Sequence, residues 1–140
     1  MTLVFKTRNL FIVLIFYNIL IFKELIKSLP LWIVMQKKKL GILLSTPQSH
    51  PSVDTVAALS SEALTQQIDV YLYLIDEGVK NLRDPRLTDL AHRGAKLFVC
   101  AYGCQQHGVS TEGLDPAISL CGLVVLSNMI AGCDRFLAFN

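Results

Sequence analysis

The sequence predicts an α/β fold, a single three-layer domain with a mostly parallel sheet of about five strands. Three observations carry that expectation. From Leu40 onward, short apolar runs alternate with helical patterns, as in βα units wound around a parallel sheet. The first of these runs, Leu40-Gly-Ile-Leu-Leu44, is continuously apolar, as a strand buried on both faces is. At 140 residues the chain has the length of about one ordinary domain, and it holds no internal repeat and no low-complexity stretch.

Each element has a local reason. After the strand at Leu40–Leu44, Pro47, His50, Pro51 and Ser52 form a loop. A helix fits Val53–Gln67, with Val53, Val56, Ala57, Ala63 and Leu64 on one face and Asp54 near its start, where the helix dipole favours an acid. Val70-Tyr-Leu-Tyr-Leu-Ile75 is rich in aromatic and branched residues and reads as the second strand. Asp76-Glu77-Gly78 then reads as a strand-end turn with helix-start acids. The next helix is the best punctuated. Asp84 caps it, Pro85 takes its first position, Leu87, Leu90 and Ala91 make its stripe, and Gly94 ends it. Lys96-Leu-Phe-Val-Cys100 is the third strand, followed by a short helical turn over Tyr102–His107 that Gly108 stops. Thr111–Ser119 reads as loop, with Gly113 and Pro116. Leu123, Leu126, Ser127 and Ile130 mark a last helix ending near Gly132, and Arg135–Phe139 is a closing strand. This order of elements is of the flavodoxin or Rossmann kind.

Composition divides the chain in two. Overall it is 52% hydrophobic and 17% charged, with a mean hydropathy of +0.46, too apolar for a disordered chain. Residues 1–34 hold 23 apolar side chains and four cations (Lys6, Arg8, Lys23, Lys27) against one acid, Glu24. Residues 35–140 carry nine Lys/Arg against ten Asp/Glu, so no large basic domain exists to neutralise phosphates and direct nucleic-acid binding is not expected. Leu10–Phe22 is apolar except for Asn18, but thirteen helical residues reach only about 20 Å of a ~30 Å hydrocarbon core. Three readings of this leader stand open. It is a membrane anchor, a signal-like segment without a small-x-small cleavage site, or upstream sequence read from an early start codon, with Met35 the natural beginning. The domain expectation is therefore a leader at 1–34 and an α/β domain at 35–140.

All four cysteines, Cys100, Cys104, Cys121 and Cys133, lie in the domain. Nothing else resembles a small secreted scaffold, so reduced thiols in a cytoplasmic protein are expected. Cys100 stands apart because it ends a strand and precedes a helical turn. Open α/β sheets place working residues at the carboxyl ends of strands, and N–H groups at a helix start favour a nucleophilic thiolate. Cys104, four residues on, shares a face with it. Free cysteine more often packs as a small hydrophobe, a reading that suits Cys121 and Cys133 in particular. Cys100, Cys104 and His107 would give zinc three ligands from one segment where a structural site needs four, so no metal is expected. His107 reads as a helix-end residue that, protonated, could hold a nearby thiolate. His92, beside Arg93, reads as solvent-facing. The loop after the first strand, Ser45-Thr-Pro-Gln-Ser-His50, lacks a dinucleotide fingerprint, and neither a P-loop, a nucleophile elbow nor a glycosidase carboxylate pair occurs.

Four stretches resemble the DsrE/DsrF-like family: the first strand running into Ser45-Thr-Pro, Glu77-Gly-Val-Lys-Asn81, Val99-Cys-Ala-Tyr-Gly-Cys-Gln-Gln-His-Gly-Val109, and Gly122–Ser127 with Gly132–Phe139. Together they span Leu40 to Phe139. The resemblance implies that Cys100 is a persulfide-bearing nucleophile that takes sulfur from a donor protein and relays it to an acceptor. It also implies a sulfurtransferase-like activity without a cofactor, and a homo-oligomer (trimer or hexamer) or a hetero-oligomer with related subunits. Cys104 matches no required residue but could resolve a persulfide or make a disulfide. Ser45, Glu77, Gly78 and His107 are candidate binding residues from the matched stretches. His107 stands where relay subunits often carry arginine. The alternative is a non-catalytic, oligomeric or redox-responsive protein. Association with a membrane follows only if residues 1–34 form an anchor.

Overall fold

The structure, a computed structural model, describes residues 37–140; the leader expected at 1–34 lies outside the described residues. Ten elements follow in order: β1 (Lys39–Leu44), α1 (Ser52–Thr65), β2 (Asp69–Leu74), a 3-10 turn (Asp76–Asn81), α2 (Pro85–His92), β3 (Lys96–Cys100), α3 (Ala101–Gln106), β4 (Ile118–Cys121), α4 (Leu123–Gly132) and β5 (Arg135–Phe139). The five strands form one sheet in the order β4-β3-β2-β1-β5, and every pairing is parallel. The three-layer α/β class expected from the sequence is the one found.

The register fixes the two faces of the sheet, because side chains alternate along each strand. Ile42, Leu72, Leu74, Leu97 and Val99 share one face and are almost wholly buried. They pack with Val53, Val56 and Ala63 of α1 and with Leu87 and Leu90 of α2. The opposite face carries Tyr71, Tyr73, Phe98, Cys100 and Cys121 in matched register, and α4 lies over part of it.

Local chemistry explains the boundaries. The buried Asp84 caps α2 by accepting from the Arg86 backbone N–H at 2.9 Å, with Pro85 next, and Gly94 takes φ +109° just past the end. One expectation is corrected. Thr111–Ser119 is not all loop, since Ile118 and Ser119 begin β4. The last helix runs where Leu123, Leu126, Ser127 and Ile130 mark it and ends at Gly132; Met129 is its buried residue, Val125 and Leu126 are partly covered, and Leu123 and Ile130 are exposed. The helix is apolar nearly all round, so its sequence pattern does not say which side turns inward.

Candidate functional site

The carboxyl ends of β2, β3 and β4 converge with α3 and the start of α4. A cleft of about 290 Å³ opens there, lined by Ile75, Asp76, Cys100, Tyr102, Gly103 and Leu123 among others. Cys100 is the last residue of β3 and the N-cap of α3, and its Sγ accepts from the Gly103 N–H at 3.4 Å. That donor sits where a negative sulfur would strengthen the bond. Cys100 is only 4% exposed, so a reactant must come through the cleft to reach it.

Glycine at 103 is required by the packing. A Cβ there would lie 2.9 Å from Val79 Cγ1 and 3.5 Å from Cys100 Cβ, so a side chain would push α3 off the 3-10 turn. Gly78 does the same one layer down, where a Cβ would fall 2.0 Å from the Leu44 carbonyl oxygen. The turn is braced from the other side by Asn81, whose buried Nδ2 donates to the carbonyls of Thr46 (2.8 Å) and Gly78 (2.9 Å). Asp76 opens the turn at φ +51°, a left-handed conformation that costs a non-glycine residue roughly 1–3 kcal/mol. The strain falls on a residue that lines the cleft.

The charged groups around the cleft are already paired. His107 caps α3, with Nε2 3.0 Å from Asp76 Oδ1 and Nδ1 3.3 Å from Glu77 Oε1. Glu77 also pairs with Lys80. His107 therefore ties α3 to the 3-10 turn, rather than holding the Cys100 thiolate as the sequence reading allowed. Ser45 lies on the other side of β2, where its N–H and hydroxyl both bond to the Phe139 carbonyl, at 2.9 and 3.2 Å. Its bonds close the gap between β1 and β5, the point where strand order reverses and where such sheets often bind ligands. His92 is exposed and bonds Asp115 at 2.9 Å.

The thiols differ. All four cysteines are free. Cys104 is buried on α3, and burial, then the neighbouring Cys100, push its pKa up. Cys121 is the strand partner of Cys100 and points to the same face. Tyr73 of β2 is on the same face and fully buried, its hydroxyl without a hydrogen bond of ordinary geometry but close enough to the thiols of Cys121 and Cys100 for both to affect it. Burial first, then Cys121 and Cys100, raise the Tyr73 pKa well above its ordinary value, so the phenol stays a donor. Tyr73 and Cys121 are functional candidates that sequence reasoning missed. The alternation along β2 places Tyr73 on a face, but only the β3–β4 register puts Cys121 beside Cys100. Among the described residues, no group of three or more His, Cys, Asp or Glu side chains could hold a metal ion, and no helix is long and apolar enough to cross a membrane.

The fold is thus an open parallel α/β domain in which a cysteine ends the interior strand β3 and caps the helix that follows. The particular family follows from comparison with known proteins. The model of the DsrE/DsrF-like family matches residues 38–139, and the chain belongs to that family. Its fold is similar to the crystal structure of the YchN protein from E. coli, at 19% identity and TM-score 0.66, covering 74% of this chain and 100% of the other. It is also similar to the structure of a conserved protein of unknown function from Bacteroides thetaiotaomicron, at 17% identity and TM-score 0.55, covering 73% of this chain and 95% of the other. A comparison with curated proteins finds no match.

Proposed function

We propose that this protein is a cytoplasmic sulfur carrier of the sulfurtransferase type, with a persulfide held on Cys100. The observation that carries the reading is the placement of Cys100: at the carboxyl end of a central strand, on a cleft, with the Gly103 N–H on its sulfur. In the loading step the Cys100 thiolate attacks the outer sulfur of a donor persulfide. An S–S bond forms on Cys100, the donor's S–S bond breaks, and the donor leaves as a thiolate. In the relay step an acceptor thiolate attacks that same outer sulfur and Cys100 leaves as a thiolate. Neither step needs an oxidant, a reductant or a cofactor.

The partners of this reading are a donor and an acceptor protein, and further copies of this chain or related subunits. Tyr102 and Leu123 line the cleft yet are 66% and 59% exposed, and Val124 and Ile130 continue the apolar surface along α4. Such a patch favours a covering partner, and one seated there would close over Cys100.

The test is to load the full chain with a cysteine desulfurase and cysteine, then measure intact mass. The native protein gains the mass of one sulfur and Cys100→Ser does not. Equal uptake by the two defeats the assignment. A second reading, a non-catalytic oligomeric or redox-responsive protein, draws on the near-complete burial of Cys100. It predicts slow alkylation of Cys100 at neutral pH and no sulfur uptake.

A further inference from the structure

We infer that Cys121 is the resolving thiol of Cys100: the two close a disulfide that expels the carried sulfur as hydrosulfide. The inference rests on the persulfide reading for its chemistry, but the pairing itself stands on geometry. Cys100 and Cys121 are register partners on adjacent parallel strands, so their side chains leave the same face of the sheet. Neighbouring strands lie about 4.8 Å apart, inside the roughly 4.4–6.8 Å Cα window of a disulfide. β4 has four residues and, among the described residues, only β3 beside it. It can move the small distance that brings two Cβ atoms into bonding range.

A second observation points the same way. The Tyr73 hydroxyl is wholly buried, has no hydrogen bond of ordinary geometry, and lies near these two sulfurs. A buried hydroxyl left without a partner is costly, and the groups that can use it here are the two thiols or a sulfur bound to one of them. Cys104, the residue that the family resemblance offers for this role, sits 2% exposed on α3 and is packed into the core. Cys121 is partly exposed and lies one residue before Gly122 of the cleft, where a leaving sulfide has a way out.

The step balances. The Cys121 sulfur attacks Sγ of the Cys100 persulfide, the Sγ–S bond breaks, and the outer sulfur leaves with the electron pair. The proton of the Cys121 thiol ends on the departing sulfide, beside the Tyr73 hydroxyl. The carried sulfur is reduced from the sulfane to the sulfide level while two thiols become one disulfide, and a dithiol reductant restores them.

The experiment uses the full chain in two arms. In the first, one equivalent of diamide is added and disulfide-linked peptides are mapped. A Cys100–Cys121 link is expected in the native protein and in Cys104→Ser; a Cys100–Cys104 link in its place, or no internal link, overturns the inference. In the second, Cys100 is loaded with inorganic polysulfide and hydrosulfide release is timed. Release should be at least roughly tenfold slower in Cys121→Ser, a barrier change of about 1.4 kcal/mol, with persulfide retained on Cys100. Release as fast as in the native protein overturns the inference, and Cys121→Ala repeats the test without a hydroxyl. If Cys100 takes up no sulfur at all, the proposed function fails, whereas the diamide arm still decides the pairing.

Discussion

The two faces of the sheet solve different problems. On the α1/α2 face, Ile42, Leu72, Leu74, Leu97 and Val99 are at most 2% exposed, and two helices cover them. On the other face, among the described residues, a single helix, α4, packs through Met129, while its Leu123, Val124 and Ile130 are exposed. That second face also carries Tyr73, Cys100 and Cys121. Buried packing is concentrated on one side, and the Cys100–Cys121 pair and the exposed apolar residues of α4 on the other. A functional face need not be stable alone if the opposite face holds the fold.

The sharpest way to break this comparison is to cut into each face in turn. Leu72→Ala removes a buried side chain from the α1/α2 face and should cost about 2–5 kcal/mol in chemical denaturation. Val124→Ser, at a position 74% exposed, should change that stability by less than about 0.5 kcal/mol while weakening self-association in sedimentation. Equal costs at the two positions would erase the contrast.

Next in size is Gly78→Ala. Its Cβ would meet a backbone oxygen, which no side-chain rotation relieves, so a loss of about 1–3 kcal/mol is expected. The change should also loosen the 3-10 turn that carries Asp76 and His107's partners. A variant that melts with the native protein would show that the turn does not depend on close contact with β1.

Asp84 sharpens the comparison through pH. Hydrogen bonds from Arg86, above all, hold its carboxyl below the usual range, and its side chain is buried. A depressed pKa gives stability that is present above the unfolded value near 3.8 and is lost as pH falls through the folded value. Asp115 and Asp134, lowered mainly by the backbone N–H groups of Ala117 and Lys39, act in the same direction. Asp84→Asn keeps a capping residue but loses the ion pair. It should cost about 1–2 kcal/mol at pH 7 and flatten the acid limb of the stability profile, the gap from the native protein closing as pH falls through the folded-state value. A gap that stays constant through the whole acid limb would mean that Asp84 acts only as a cap.

The same division governs what could be read from the sequence. The α1/α2 side was legible because its signals are local: Asp84-Pro85 and Gly94 bracket α2, and Arg135–Phe139 is β5 to the residue. β4 was not, because four residues after Pro116 give too short an alternation to separate strand from loop. Cys100 was legible as a strand-end residue. His107 was not placed, since its partners Asp76 and Glu77 lie about thirty positions away on another element. The Cys100–Cys121 pairing depends on the register of two strands, a non-local property that no spacing rule contains.

The smallest expected effect on stability, and the most specific on chemistry, belongs to Tyr73→Phe. The hydroxyl is buried without an ordinary hydrogen bond, so removing it should change stability by less than about 1 kcal/mol in either direction. Its contribution is to the sulfurs. Burial raises the Cys121 pKa, and the nearby Tyr73 hydroxyl opposes that rise. Without the hydroxyl, only burial and the nearby Cys100 push up against the Val99 backbone donor, so the Cys121 pKa should climb further. Alkylation of Cys121 in Tyr73→Phe should then need higher pH than in the native protein, while the denaturation midpoint stays near its native value. A purely structural tyrosine would give the reverse, a shifted midpoint and an unmoved pH profile. That outcome would return the α4 face of the sheet to packing alone.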